Sequence, residues 1–285
     1  MSALGPSKSL QVESLEERVV MTAGATSLPI GNVSAYISQG VLELRGDSLN
    51  NTVDITQLSD GKFQITGSQG TLINNRSTPT VLASVLNINA QLRDGNDSVT
   101  VNLQDNRAMR DITINMGMGQ SEKVVVKGGQ SINNLNVHAR GLNALDLNTD
   151  GKSLKVIGLT NVVGGNSTTK GDQINLLGTF NTVNIETGDG NDFVQLGKKC
   201  TCVTNVRFSA TKATVKLGNG NDELNLFKAK VDDFFADLSA GNDSLALSIA
   251  QFSATPAKAR LLGGIGTDTV KEQTTVSGSP SLSSF

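Results

Sequence analysis

Val215-Lys216-Leu217-Gly218-Asn219-Gly220-Asn221-Asp222-Glu223-Leu224-Asn225-Leu226 sets an apolar residue at every second position on both sides of a Gly-Asn turn. Alternation with period two is the mark of a strand with one buried face. Gly and Asn tolerate the left-handed backbone that a sharp turn needs. The stretch therefore reads as strand, tight turn, strand.

Related turns recur along the chain. Clear copies are Asp94-Gly95-Asn96-Asp97, Asp189-Gly190-Asn191-Asp192, Ala240-Gly241-Asn242-Asp243 and Ile265-Gly266-Thr267-Asp268. A degraded copy spans Gly46–Asn51, with Asn51 where the Asp would stand. The flanks alternate as before: Leu86, Ile88 and Ala90 precede the first clear turn, and Val99, Val101 and Leu103 follow it. Phe234, Ala236 and Leu238 lead into the Asp243 turn, whose exit carries Leu245, Leu247 and Ile249. Between residues 110 and 180 the strand pattern persists but the acid is lost at Gly117-Met118-Gly119 and Gly141-Leu142-Asn143.

Taking positions 97, 121, 143, 172, 192, 222, 243 and 268 as equivalent gives intervals of 20 to 30 residues with a mean of about 24. A two-residue hairpin stack would need about half that period. One coil of a right-handed parallel β-helix suits it: strand, turn, strand, and a third side of variable length. The expected fold is thus an all-β solenoid of about nine or ten coils, about 24 residues each, stacked to share one core. At ~4.8 Å per coil the rod would be on the order of 45 Å long. The expected organisation is a leader, export-type segment or cap over residues 1–30, a repeat domain over 31–276, and a flexible Ser-rich tail over 277–285.

Composition narrows function. Among 285 residues there are 30 Gly, 27 Asn and 18 Asp against 8 Glu, a bias toward turns. A net charge of −2 with no basic cluster argues against a nucleic-acid surface. No apolar run approaches the roughly 20 residues of a membrane helix. With one His and no Trp, zinc catalysis, Ser-His-Asp chemistry and an aromatic sugar cleft are poor expectations. Asp232 and Asp233 are expected on opposite strand faces, and His138 on the surface. The chain is therefore not expected to be an enzyme. Cys200 and Cys202 share a strand face, a poor geometry for bridging each other, and their role stays open.

Gly188-Asp189-Gly190-Asn191-Asp192-Phe193-Val194 and Gly263-Gly264-Ile265-Gly266-Thr267-Asp268-Thr269-Val270 resemble the haemolysin-type (RTX) calcium-binding repeat, Gly-Gly-x-Gly-x-Asp-x-apolar-x. The resemblance implies calcium held by turn carbonyls and the last Asp. Here the motif recurs once per coil rather than in tandem, so at most one edge would carry ions. The residues implied as calcium ligands are Asp189, Asp192, Asn219, Asp222, Asp243 and Asp268. Stacked carboxylates ~4.8 Å apart repel unless something neutralises them. Asp97, with no acid expected in the adjoining coils, is not expected to form a full site. Metal-free turn formation explains the same residues equally well.

Glu13-Ser14-Leu15-Glu16-Glu17-Arg18-Val19-Val20 resembles the Leu-Glu-x-Arg-apolar segment near the start of many planctomycete cell-surface and secreted proteins. That resemblance implies export, although Val19–Ala25 is too short for a secretory apolar core. The combined expectation is a secreted or cell-surface structural repeat protein, stabilised by calcium, able to associate head to tail into filaments or a surface layer. An adhesin binding glycan or protein is the alternative, and a polysaccharide lyase or hydrolase a more remote one. For the adhesin, Phe180, Phe208, Phe227 and Phe252 are candidates for an exposed patch.

Overall fold

The computed structural model describes residues 30–104, 108–128, 131–147, 154–166, 170–198, 208–252, 259–274, 276–278 and 280–285. The leader region, Cys200, Cys202 and Arg107, a basic residue weighed for an enzymatic site, lie outside these. Every element among the described residues is a strand.

The first six strands are β1 (Asn32–Ser38), β2 (Val41–Arg45), β3 (Thr52–Gln57), β4 (Phe63–Ser68), β5 (Leu72–Ile73) and β6 (Thr80–Leu82). Next come β7 (Asn87–Gln91), β8 (Ser98–Asn102), β9 (Met109–Asn115), β10 (Glu122–Lys127), β11 (Ser131–His138) and β12 (Leu142–Leu147). They are followed by β13 (Lys155–Val163), β14 (Gln173–Leu176), β15 (Gly178–Glu186), β16 (Phe193–Gly197), β17 (Phe208–Lys216) and β18 (Glu223–Phe227). The last six are β19 (Ala229–Asp237), β20 (Ser244–Ser248), β21 (Gln251–Phe252), β22 (Ala259–Leu262), β23 (Thr269–Thr274) and β24 (Ser281–Ser283).

These strands form two sheets. The 13-stranded sheet runs β24-β22-β19-β17-β15-β13-β11-β9-β7-β2-β1-β5, with β21 also on β19. The 11-stranded sheet runs β23-β20-β18-β16-β14-β12-β10-β8-β3-β4-β6. From β7 onward, apart from the short β21, the chain alternates between the sheets and pairs in parallel with the strand one unit earlier, β7 and β8 on β2 and β3. The units β2/β3, β7/β8, β9/β10, β11/β12, β13/β14, β15/β16, β17/β18, β19/β20 and β22/β23 make nine. This is an all-β, β-helix-like arrangement of two mostly parallel sheets.

Strict alternation puts one apolar residue per strand in register with its neighbours. On one sheet Leu44, Ala90, Ile114, Val137, Val162, Ile185, Val215, Ala236 and Leu261 form a continuous row. On the other, Val53, Val99, Val124, Leu145, Ile174, Val194, Leu224 and Leu245 do the same, and all of these are buried. Each such side chain removed from water contributes about 1.5–3 kcal/mol. No unit can realise this alone, because half of each side chain's cover is the next unit. Thr160 breaks a parallel row between Leu135 and Val183, and its buried hydroxyl has no partner. We have no physical account of it.

Several expectations need revision. The N-terminal units are not purely parallel: β1 with β2, β3 with β4, and β4 with β6 pair antiparallel. The antiparallel β3, β4 and β6 lie in the 46-residue interval between Asn50 and Asn96. Ser121 is not the equivalent of Asp97, since Lys123 pairs with Ser98 and so places Glu122 there. The tail is not merely loose, for β24 pairs in parallel with β22 and Phe285 packs against the core. Asp232 and Asp233 are both exposed rather than on opposite faces. Leu86, outside β7, is 46% exposed. Phe180, Phe208, Phe227 and Phe252 are buried, so they cannot form an exposed patch.

Candidate cation-binding column at the turns

The turn after each strand of the larger sheet stacks on the turn one unit away, and glycine makes the stacking possible. At Gly220 φ is 147°, and a Cβ there would sit 1.5 Å from the carbonyl oxygen of Gly190. Gly241 and Gly266 repeat this against Gly220 and Gly241. No residue with a side chain fits either the space or the dihedral.

Two ladders of opposite polarity then join the turns. In the inner ladder each Asp accepts the backbone N–H of the Asp one unit earlier. Oδ1 of Asp192, Asp222, Asp243 and Asp268 accepts from Asp172, Asp192, Asp222 and Asp243 at 2.7, 2.7, 2.8 and 2.8 Å. Asp97 accepts from Asn51 in the same way at 2.8 Å. In the outer ladder the side chain belongs to the earlier unit: Asn191, Asn221 and Asn242 accept the N–H of Asn221, Asn242 and Thr267. Asn50 and Asn96 do so toward Asn96 and Gln120. The Asn51/Asp97, Asp192/Asp222, Asp222/Asp243 and Asp243/Asp268 junctions are thereby bonded from both sides, apart from the main-chain ladder.

The inner carboxylates are the unusual feature. Asp97, Asp192, Asp222 and Asp243 are buried, and Asp268 is half-buried. In all five, Oδ2 is inaccessible and has no hydrogen-bond partner. Burial, reinforced by the charges of Asp192 and Asp243, pushes the Asp222 carboxyl up to about 8. Burial, reinforced by Glu122, Asp47 and Asp94, takes Asp97 to about 7. Asp243 rises to about 6, and Asp192 also rises, both chiefly from burial. A buried carboxylate with an unmatched oxygen is costly unless a proton or a cation neutralises it.

The sequence-derived ligand set divides. Asp192, Asp222, Asp243 and Asp268 stand in this column. Asp189 and Asn219 do not: the Asn219 amide donates to Asp189 Oδ1 at 2.7 Å on the exposed side of the turn. Sequence reasoning also missed Glu122. The turn Gly119-Gln120-Ser121-Glu122 is one residue longer than Gly95-Asn96-Asp97, and the longer acid makes up the difference. Glu122 is fully buried and accepts the N–H groups of Gly119 and Gly141 at 2.7 and 3.4 Å. Asp97 therefore does have an acidic neighbour in the adjoining unit.

In kind, the column suits a hard divalent cation: anionic oxygens, shielded from water and unmatched by any donor. Among the described residues no three His, Cys, Asp or Glu side chains converge as a metal cluster. An ion here would accordingly draw on two acids at most and on oxygens of the turn backbone or water for the remaining positions. Asn51, at the upstream end of the column, shows what a neutral occupant does: its Nδ2 donates to the Leu49 carbonyl at 2.6 Å. No protein-family profile matches the chain, and neither the curated proteins nor the solved structures return a match.

Proposed function

We propose that the chain is a secreted or cell-surface structural repeat protein, wound as a right-handed parallel β-helix and stabilised by calcium along its Asp column. The observation that carries this reading is the set of five inaccessible Oδ2 atoms without partners, at Asp97, Asp192, Asp222, Asp243 and Asp268. Neighbouring pairs among Asp192, Asp222, Asp243 and Asp268 would each hold an ion, which would supply positive charge between adjacent turns. Extracellular calcium modules bind at roughly 10⁻⁴–10⁻³ M, the regime for sites with so few acids per ion. The residues considered for catalysis, Asp232, Asp233 and His138, are surface groups, which supports a structural rather than an enzymatic role. The short strand edges and the edge lysine Lys271 favour single rods over filaments.

Thermal melting in millimolar calcium and in excess chelator tests the reading. Calcium should raise the melting temperature of the native chain, and Asp222→Asn should lose most of that gain while staying folded. The Asn keeps a side-chain oxygen that can accept the Asp192 N–H. A melting temperature indifferent to calcium would reduce the column to a hydrogen-bond ladder.

A further inference from the structure

The outward face of the larger sheet carries a second pattern that the turn motif does not explain. Asn89, Thr113, Asn136, Asn161, Asn184 and Thr214 occupy one row in register across six successive strands, β7 to β17. All six are half-buried, and at the upstream end the Asn89 amide donates to Glu43 at 2.9 Å. The flanking rows are also rich in amides: the Gln91 amide donates to Asn89 at 2.9 Å, and the Asn134 amide to Asp111 at 2.7 Å. Such a face lacks the apolar area that drives protein docking. Away from Arg140 it also lacks the dense positive charge that a nucleic acid backbone requires. What it offers is a donor or an acceptor every ~4.8 Å on a stiff support, which matches a chain of hydroxyl-bearing units.

At the turn end of this face lies a groove of about 450 Å³, in the size range of small-ligand sites. It is lined by Asn115, His138 and Arg140, with Met118 and Val163 as apolar walls. No acidic side chain lines it. Among the described residues Arg140 pairs with no carboxylate; its polar contact is the Met118 sulfur at 3.6 Å. The nearest acid along the same row, Glu186 beyond Val163, is already paired with Lys216 at 2.9 Å. Met118 and Arg140 directly precede the stacked turn glycines Gly119 and Gly141, so they take part in neither the inner acid ladder nor the outer Asn ladder.

We infer that this face binds an acidic polysaccharide, its sugar hydroxyls on the Asn/Thr row and a uronate carboxylate in the groove at Arg140 and His138. A guanidinium offers a carboxylate two parallel N–H donors, and the imidazole and the Asn115 amide supply further donors beside it. The binding needs no calcium and is independent of the Asp column.

Isothermal titration of the full chain in chelator, with a uronic-acid hexasaccharide and with its carboxyl-reduced neutral form, tests the inference. Uronate should bind more tightly than the neutral form. Arg140→Gln should weaken uronate about tenfold, as loss of one charge-assisted pair implies, and leave the neutral form unchanged. Asn136→Ala should weaken both, while Lys230→Gln, on an exposed site of β19, should alter neither. Melting curves confirm that each variant is folded. Absence of uronate binding by the native chain would overturn the inference. Equal affinity for the two sugars, or an Arg140→Gln variant that binds uronate normally, would overturn the groove's part in it. Because calcium is excluded throughout, these outcomes are separate from those of the calcium melting experiment.

Discussion

Gly220 and Asp222 divide the work of one turn between them. The glycine has no side chain to strike the Gly190 carbonyl, and the aspartate, two residues on, bonds to the neighbouring unit. Gly220→Ala would place a methyl 1.5 Å from that carbonyl at a φ of 147°. The turn must move, and moving it strains the bonds that Asn221 and Asp222 make to the units on either side. The expected loss is about 3 kcal/mol, read as a lower urea midpoint with an unchanged slope. A change within about 0.5 kcal/mol would mean that the turns do not stack this closely in solution.

At the scale of the element, the Asp column behaves as a unit. Asp192, Asp222, Asp243 and Asp268 stand in consecutive units and Asp97 stands beside Glu122, so each ionisation makes the next harder. The folded-state values of Asp222, Asp97 and Asp243, about 8, 7 and 6, all lie above the ordinary 3.8. Over pH 3.8 to 8 the folded chain therefore holds protons that the unfolded chain has released. Stability must fall as pH rises through that window and level off above it. In chelator, the melting temperature should decline from pH 4 to about pH 8; in calcium the slope should flatten, because the ion replaces the protons. A melting temperature that rises over that window in chelator would show that these carboxylates are not buried as described. The strands, their inward rows and the turn positions of Asp97, Asp192, Asp222, Asp243 and Asp268 could be read from the chain, because period-two alternation and Gly-Asn turns are local signals. Glu122 was not legible, because a one-residue insertion shifts the column without disturbing the strands. The outward placement of Asp189 and Asn219 was not legible either. Which way a turn side chain points depends on the turn stacked against it.

For the whole molecule the decisive question is how a stack of parallel strands ends. Among the described residues, the outermost strands at one end are β5, of two residues, and β6, of three. At the other they are β24, of three residues, and β23, whose register shifts opposite Leu245/Ala246. Lys271 lies at that shift and reaches Glu223 at 3.2 Å. Short edges, a bulge and an edge lysine all oppose the addition of a further strand. The chain should therefore sediment as a single species over a hundredfold range of concentration, and Lys271→Val should favour association. Concentration-dependent growth of the native chain would instead support head-to-tail assembly.

Local chemistry, legible residue by residue, already dictates that this chain makes strands, where they turn, and that units of about 24 residues must share a core. Coil-on-coil packing decides the rest. It sets the register that brings Glu122 beside Asp97, folds residues 32 to 82 into antiparallel hairpins, and seats the last strand on the core. It also aligns Asn and Thr residues from six strands into one row. The reason is physical: alternation is a property of neighbours along the chain, whereas a row across the sheet joins residues 21 to 30 positions apart through hydrogen bonds.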